Sequence, residues 1–140
     1  MSLWILDTDC VSLFQRRHPS ITQRVNTANA EDIAITIITA EEQLRGRFKI
    51  IKQASSSDKL ILAYANLQAN LDFFKNVKIL ELNRDAFNYY EDLIGKRIRI
   101  GTQDLRIAAI ALSMNAILVT RNRKDFEKVP NLQLEDWTVS

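Results

Sequence analysis

The sequence has very few cysteine, histidine, glycine and proline residues. Its 140 residues include one cysteine, one histidine, three glycines and two prolines. The single thiol, Cys10, can neither form an intramolecular disulfide nor supply a zinc cluster, which suits a reducing compartment. Because 46% of the residues are hydrophobic, we expect one globular domain over residues 1–140, with a core that buries roughly two thirds of the unfolded chain's surface.

Long apolar runs and a strong excess of charge are also missing. No apolar run approaches the roughly 20 residues of a membrane span, and the N-terminus lacks the basic start of a signal peptide. We therefore expect a cytoplasmic protein that does not enter a membrane. The formal net charge is only +2, so composition alone does not indicate a nucleic-acid partner. The placement of the charges is more informative than their sum.

Apolar runs alternate with segments of helical periodicity along the chain. Such alternation predicts an α/β fold, with a mostly parallel central sheet that helices cover on both faces. Strands are predicted at residues 3–6, 33–38, 77–82, 116–120 and 132–134. Helices are predicted at 11–15, 19–29, 39–52, after the serine run 55–57, after Asn83, and at 103–114.

Acidic and amide residues follow the predicted strands at their carboxyl ends, where open parallel sheets bind ligands. We expect these side chains to meet at one edge of the sheet. Crowded carboxylates repel one another unless a cation neutralises them, and oxygen donors favour Mg²⁺ or Mn²⁺, which suits phosphoryl chemistry. The acidic and amide residues concerned are Asp7 and Asp9 after the first strand, Glu41 and Glu42 after the second, Asn122 and Asp125 after the fourth, and Asp104 in the helix before the fourth strand.

Each of these acids also has a purely structural interpretation. Thr39 and Glu42 fit a capping box, in which Thr39 caps the helix and Glu42 reaches back to its first N–H groups. Asp9 fits a helix cap, and Asp104 fits a first helical turn, where the helix dipole favours an acid. Asp7 is harder to explain in this way, because an acid that ends a buried strand is costly unless it is paired.

Four polar segments stand in order along the chain: ILDTD at 5–9, TAEEQLRG at 39–46, IGTQDLRIAA at 100–109 and LVTRNRKDF at 118–126. Together they resemble the four motifs of PIN-domain ribonucleases, and most closely those of the VapC toxins of prokaryotic toxin–antitoxin pairs. The resemblance covers essentially the whole chain. It implies a PIN-like three-layer fold, an Mg²⁺- or Mn²⁺-dependent endoribonuclease acting on RNA, a VapB-like antitoxin as partner, and a homodimer.

The resemblance also implies roles for individual residues. Asp7, Glu42 and Asp104 match the acids that bind the catalytic metal in that family. Glu42 is preferred to the adjacent Glu41 because of its spacing from Thr39, although Gln43 replaces the usual leucine.

The fourth acid departs from the family pattern. Asn122 stands where an aspartate is expected, so Asp125, the nearest carboxylate, becomes the fourth candidate catalytic residue. Asp9 likewise replaces the more usual asparagine or serine. The polar residues expected to support the metal ligands are Thr8, Asp9, Ser12, Thr120 and Asn122.

Three basic clusters adjoin the acidic motifs, at residues 45–52, 96–99 and 121–124. A basic rim around an acidic centre is typical of a metal-dependent nuclease, although each cluster also fits an ordinary solvated surface. The candidate RNA-binding residues are Arg45, Arg47, Arg97, Arg99, Arg121 and Arg123.

Two other functions are compatible with parts of the sequence. Residues 7–11 fit the first motif of haloacid-dehalogenase-like phosphatases, in which Asp7 would be the nucleophile, but the late aspartate pair of that class is missing. A non-catalytic RNA-binding or partner-binding domain is the other alternative, and the intact Asp7, Glu42 and Asp104 argue against it.

Overall fold

The computed structural model describes residues 2–139, in which five short strands form one sheet. All neighbouring strands run parallel, in the order β3-β2-β1-β4-β5. The first strand therefore lies at the centre, and its carboxyl end opens between those of β2 and β4. The strands are β1 (Trp4–Leu6), β2 (Ile33–Thr36), β3 (Lys78–Leu80), β4 (Ile117–Val119) and β5 (Gln133–Glu135).

The described part of the chain has seven α-helices among these strands, and polar side chains cap several of them. Pro19 occupies the first turn of α2, and the Asn83 side chain accepts a hydrogen bond from the Ala86 N–H at 3.0 Å at the start of α5. The helices are α1 (Thr8–Gln15), α2 (Pro19–Thr27), α3 (Ile37–Gln53), α4 (Ser57–Lys75), α5 (Arg84–Gly95), α6 (Thr102–Ser113) and α7 (Arg123–Phe126). Within residues 2–139, no helix is long and apolar enough to cross a membrane.

The two faces of the sheet carry separate hydrophobic clusters. Ile5 of β1 belongs to the cluster that includes Leu93 of α5 and Ile107 of α6. The next residue, Leu6, belongs to the cluster that includes Val11 of α1 and Ile21 of α2. Since successive strand residues point to opposite faces, helices cover both sides of the sheet. The predicted three-layer α/β arrangement is confirmed, and the described sheet is parallel throughout.

The junction between β2 and α3 differs from the sequence prediction. The apolar run predicts a strand over 33–38, but the strand ends at Thr36 and the helix begins at Ile37. The Thr36 hydroxyl accepts a hydrogen bond from the Thr39 N–H at 3.2 Å and is the N-cap. Thr39 therefore lies inside the helix, and the capping-box interpretation of Thr39 and Glu42 is wrong.

Helix α4 buries little of its apolar surface. Its buried residues are Ala63 and Asn70, whereas Ile61 and Leu62 keep 67% and 60% of their surface exposed. Apolar residues at helical spacing predict that one face of this helix is buried: Leu60, Ala63, Tyr64, Leu67 and Leu71. Of these, Tyr64 is also exposed. The inner face of α4 is thus more polar than the sequence pattern indicates.

Candidate active site

Asp7 occupies the transition from the central strand to α1. Its backbone N–H donates to the Val119 carbonyl at 3.0 Å, and its side chain caps α1 by accepting from the Cys10 N–H at 2.8 Å. Burial raises the pKa of Asp7, and hydrogen bonds from the Thr120 side chain and from Cys10 partly offset that rise. Asp7 is thus a buried carboxylate that local hydrogen bonds hold at the edge of the sheet.

Glu42 is held by the hydroxyl of Thr8, which in turn contacts the hydroxyl of Thr39. The Thr8 hydroxyl donates to Glu42 Oε1 at 2.7 Å and also lies 2.9 Å from the Thr39 hydroxyl. Thr8 begins α1, whereas Thr39 and Glu42 lie on consecutive turns of α3. The contact joins the element that follows β1 to the element that follows β2, and it places Glu42 next to the residue that follows Asp7.

Asp104 supplies the clearest sign that the acids converge. It is half-buried in the first turn of α6, and its pKa is raised to about 6. Burial is the largest cause, and the charges of Glu42, Asp7 and Asp125 raise the pKa further. The helix dipole favours an acid in the first turn of α6. The pKa of this carboxyl group is nevertheless raised by the charges of three acids from other segments. The other three predicted catalytic acids therefore all lie close enough to Asp104 for their charges to act on it.

Asn122 and Asp125 form one small unit after β4. The Thr120 hydroxyl accepts from the Asn122 N–H at 2.9 Å, and the Asn122 side-chain amide donates to Asp125 Oδ2 at 3.1 Å. Thr120 is fully buried and also hydrogen-bonds Asp7. The amide of Asn122 thus holds Asp125, and Thr120 connects this unit to the central strand.

Asp9 does not cap α1, because Asp7 is the N-cap residue. The Asp9 carboxylate instead accepts two hydrogen bonds from Arg121, at 2.7 Å from Nε and 3.1 Å from Nη2. The cap interpretation of Asp9 is therefore wrong. Ser12, one turn after Thr8 on α1, is half-buried and lines the same surface groove as Thr8 and Glu42.

The donor chemistry of this edge fits a hard divalent cation. In residues 2–139, the one group of three potential ligands with all donor atoms within 4.8 Å is Asp7, Asp9 and Cys10. Two of these are poor ligands for Mg²⁺, because burial raises the pKa of the Cys10 thiol and Asp9 already binds Arg121. Asp7, Glu42 and Asp104 offer only carboxylate oxygens in a wider arrangement, which suits a cation that keeps several of its waters.

The candidate RNA-binding arginines differ in how their charges are used. Arg45 is exposed and pairs with Glu41 at 2.7 Å, and Arg123 lies 3.9 Å from Glu127. Arg97 and Arg99 follow α5 and are exposed. Arg47 is half-buried, and its Nε donates to the Asn70 side chain at 2.8 Å.

A polar network around Gln43 was not predicted. Gln43 and Gln15 exchange side-chain hydrogen bonds at 2.9 and 3.2 Å, and Asn70 donates to Gln43 Oε1 at 3.0 Å. Both Gln43 and Asn70 are buried, so the network joins α1, α3 and α4 beneath Arg47. The sequence feature that could have indicated this network is the amide side chain of Gln43, at a position where the family pattern has leucine.

Comparison with known proteins gives one consistent result. The PIN domain family model matches residues 4–132. The chain is 31% identical to Ribonuclease VapC2 of Rickettsia felis, over 96% of this chain and 98% of that protein. It is 26% identical to the tRNA(fMet)-specific endonuclease VapC of Salmonella typhimurium, over 98% of this chain and 99% of that protein.

Solved structures agree with these sequence matches. The structure of VapBC-1 from nontypeable Haemophilus influenzae superposes with a TM-score of 0.74 at 30% identity, covering 97% of this chain and 98% of that chain. VapBC2 from Rickettsia felis, bound to a DNA fragment from its promoter, gives a TM-score of 0.75 at 31% identity, covering 96% and 98%. The similarity extends over the strands and helices that carry all the acids described above.

Proposed function

The chain belongs to the PIN-domain family, and on that premise we propose that it is a metal-dependent endoribonuclease, the toxin of a toxin–antitoxin pair. The reaction is hydrolysis of RNA phosphodiester bonds, with Mg²⁺ or Mn²⁺ as the cofactor. The main support is the raised pKa of Asp104, about 6, to which burial and the charges of Glu42, Asp7 and Asp125 contribute. Four separate segments of the chain supply these acids, and helix capping alone gives no reason for them to meet.

Asp7, Glu42 and Asp104 would hold the metal. A divalent cation bound there neutralises the carboxylates, lowers the pKa of a water molecule and polarises the phosphate. Hydrogen bonds to Asp7 from Cys10 N–H and Thr120, and to Glu42 from Thr8, fix the two carboxylates before any ligand arrives. Such outer hydrogen bonds typically change metal affinity or activity by 10- to 100-fold in metalloenzymes.

Asp125 would supply the fourth negative charge, with Asn122 as the residue that positions it. Its charge acts on Asp104, and the Asn122 amide donates to one of its oxygens. Asn122 thereby takes a supporting part where the family pattern has an acid. The alternative of a phosphatase with Asp7 as nucleophile has no support from the family matches.

A protein partner and a second copy of the chain belong to the same proposal. The Haemophilus influenzae and Rickettsia felis relatives were solved as VapBC complexes, so we expect a small VapB-like antitoxin to bind this chain. Exposed apolar side chains on α3 and α4 supply surface for such assembly, and they include Phe48, Ile50, Ile61, Leu62 and Tyr64. We expect the chain to act as a homodimer in the cytoplasm, where its RNA substrate lies.

Cleavage of total cellular RNA by the purified chain in Mg²⁺, in Mn²⁺ and in chelator tests the enzymatic proposal. Wild-type protein should cleave only with metal, and Asp7→Asn, Glu42→Gln and Asp104→Asn should each lose at least about a hundredfold in rate. Glu41→Gln is the matched control, because Glu41 is the exposed neighbour of Glu42 and binds Gln103 and Arg45. Cleavage by the wild type in excess chelator would contradict the mechanism. Loss of cleavage in Glu41→Gln alone would show that Glu41, and not Glu42, binds the metal.

A further inference from the structure

A groove of about 650 Å³ runs along α3 from the acidic edge. Thr8 and Glu42 line its end at the acids, and Gly46 and Arg47 line its continuation. We call it the α3 groove. Its charged lining residues are Arg16, Arg47 and Lys49 against the single acid Glu42, so the groove is basic wherever it leaves the acids.

Gly46 lies in the middle of α3, where glycine is unfavourable for a helix. Neither of the usual structural reasons for a glycine applies at this position. Its φ is not positive, and a Cβ atom built on it meets nothing within 4 Å. Bare backbone at this position leaves the floor of the α3 groove open, as is typical where a ligand approaches the main chain closely.

Arg47 stands beside this floor with its side chain fixed. Its Nε donates to Asn70 Oδ1 at 2.8 Å, and Asn70 is in turn bound to Gln43, with both amides buried. Within residues 2–139, Arg47 has no acidic partner. Its positive charge is therefore uncompensated, whereas those of Arg45 and Arg121 are paired with Glu41 and Asp9.

We propose that the α3 groove binds the RNA backbone next to the scissile phosphate, with Gly46 as its floor, Arg47 as the phosphate contact and Asn70 as the residue that positions Arg47. This inference rests on the proposed ribonuclease function and adds a substrate subsite to it. An RNA strand whose reacting phosphate lies at the acids must continue over adjoining surface, and the α3 groove adjoins the acids through Thr8 and Glu42. Its excess of positive charge and its amide lining suit a phosphodiester chain better than an apolar peptide.

The first experiment measures binding of a short fluorescein-labelled oligouridylate in chelator over a range of KCl concentrations. Arg47→Gln should weaken binding and lower the slope of log affinity against log salt by roughly 0.7, the value for one lost phosphate contact on a single strand. A lost charge that lies away from the α3 groove should leave the slope unchanged. Lys78→Gln, an exposed change at the amino end of the edge strand β3, is the remote control for the loss of one charge.

The second experiment adds a side chain at Gly46, on the floor of the α3 groove. Gly46→Gln should place a side chain in the groove, raise the KM for RNA cleavage about tenfold and leave kcat and the metal affinity nearly unchanged. Its melting temperature should be at least that of the wild type, because glutamine favours the helix interior more than glycine. Gly95→Gln is the matched control, since Gly95 ends α5 and a Cβ there also meets nothing within 4 Å; it should change neither KM nor binding.

The role of Asn70 is tested by a double-mutant cycle. Asn70→Ala should lower the salt slope in the wild-type background and have no further effect on it in the Arg47→Gln background. A merely structural role would lower affinity equally in both backgrounds, and that result would remove Asn70 from the proposal. Asn70→Asp keeps an acceptor for Arg47 Nε but compensates the charge of Arg47, so it should lower the slope as Arg47→Gln does.

The experiments can contradict the α3 groove proposal without contradicting the proposed ribonuclease function, and the reverse. Binding is measured in chelator, so it tests the α3 groove whether or not the chain cleaves RNA. Unchanged slopes for Arg47→Gln, together with an unchanged KM for Gly46→Gln, would overturn the groove proposal in an active enzyme. If the same two variants instead weakened only the binding of a protein antitoxin, the groove would belong to that partner and the RNA subsite would be wrong.

Discussion

Arg121 binds Asp9 through two hydrogen bonds, from Nε at 2.7 Å and from Nη2 at 3.1 Å. Asp9 lies in the first turn of α1, just after β1, and Arg121 follows the neighbouring strand β4. The hydrogen bond and the charge of Asp9 raise the pKa of Arg121. The pair spans the rim of the acidic site and compensates a positive charge that the sequence assigns to RNA binding.

Asp9→Asn should therefore release Arg121 for phosphate contact. We expect tighter binding of oligouridylate and a salt slope that is steeper by roughly 0.7, with metal affinity and metal-dependent cleavage retained. Asp58→Asn, which removes an exposed acid from the first turn of α4, controls for the change in net charge. A loss of metal binding in Asp9→Asn would show that Asp9 is itself a metal ligand.

The raised pKa of Asp104 predicts how the stability of the metal-free chain depends on pH. The folded state keeps the proton up to about pH 6, whereas the unfolded state loses it near the ordinary value of 3.8. The folded state binds more protons between these values, so the free energy of unfolding falls as the pH rises from about 4 to about 6 and stays lower above that range.

Asp104→Asn cannot ionise and should not show this loss of stability. In chelator at neutral pH the variant should be more stable than the wild type, by on the order of 1 kcal/mol for a half-exposed carboxyl group. The difference should disappear below about pH 4, where the wild-type carboxyl is protonated in both states. Urea unfolding at the two pH values measures the effect, and equal stability at neutral pH would contradict the crowding of these acids.

The architecture follows from the sequence more directly than the ends of its elements do. Strands and helices alternate, so the covered parallel sheet and the meeting of Asp7, Glu42 and Asp104 at one edge are predictable from their order alone. The boundary between β2 and α3 at Thr36 is not predictable in this way. Isoleucines 37 and 38 continue a β-branched run, and only the hydrogen bond from the Thr39 N–H to the Thr36 hydroxyl shows that the helix has already begun.

Helix α4 shows a second limit of periodicity. Apolar residues at helical spacing predict a buried stripe, but Tyr64 and Leu71 are exposed while Asn70 is buried. Asn70 is tolerated inside because Gln43 and Arg47 satisfy its amide group. Both partners lie on α3, far away in sequence, and a local pattern carries no information about such a distant polar match.

The last prediction separates the roles of Asn122 and Asp125. If Asp125 supplies the fourth charge, Asp125→Asn should reduce metal-dependent cleavage roughly 10- to 100-fold. Asn122→Ala removes only the hydrogen bond to Asp125 Oδ2 and should reduce cleavage less, because Lys128 still lies 3.9 Å from the other oxygen of Asp125. Glu127→Gln, an exposed acid two residues further on, is the control and should leave cleavage unchanged.

Since the charge of Asp125 raises the pKa of Asp104, Asp125→Asn should also lower the pKa of Asp104, which NMR titration of the metal-free chain can follow. A greater loss of cleavage in Asn122→Ala than in Asp125→Asn would show that the amide is the functional group at this position and that Asp125 serves only the turn into α7.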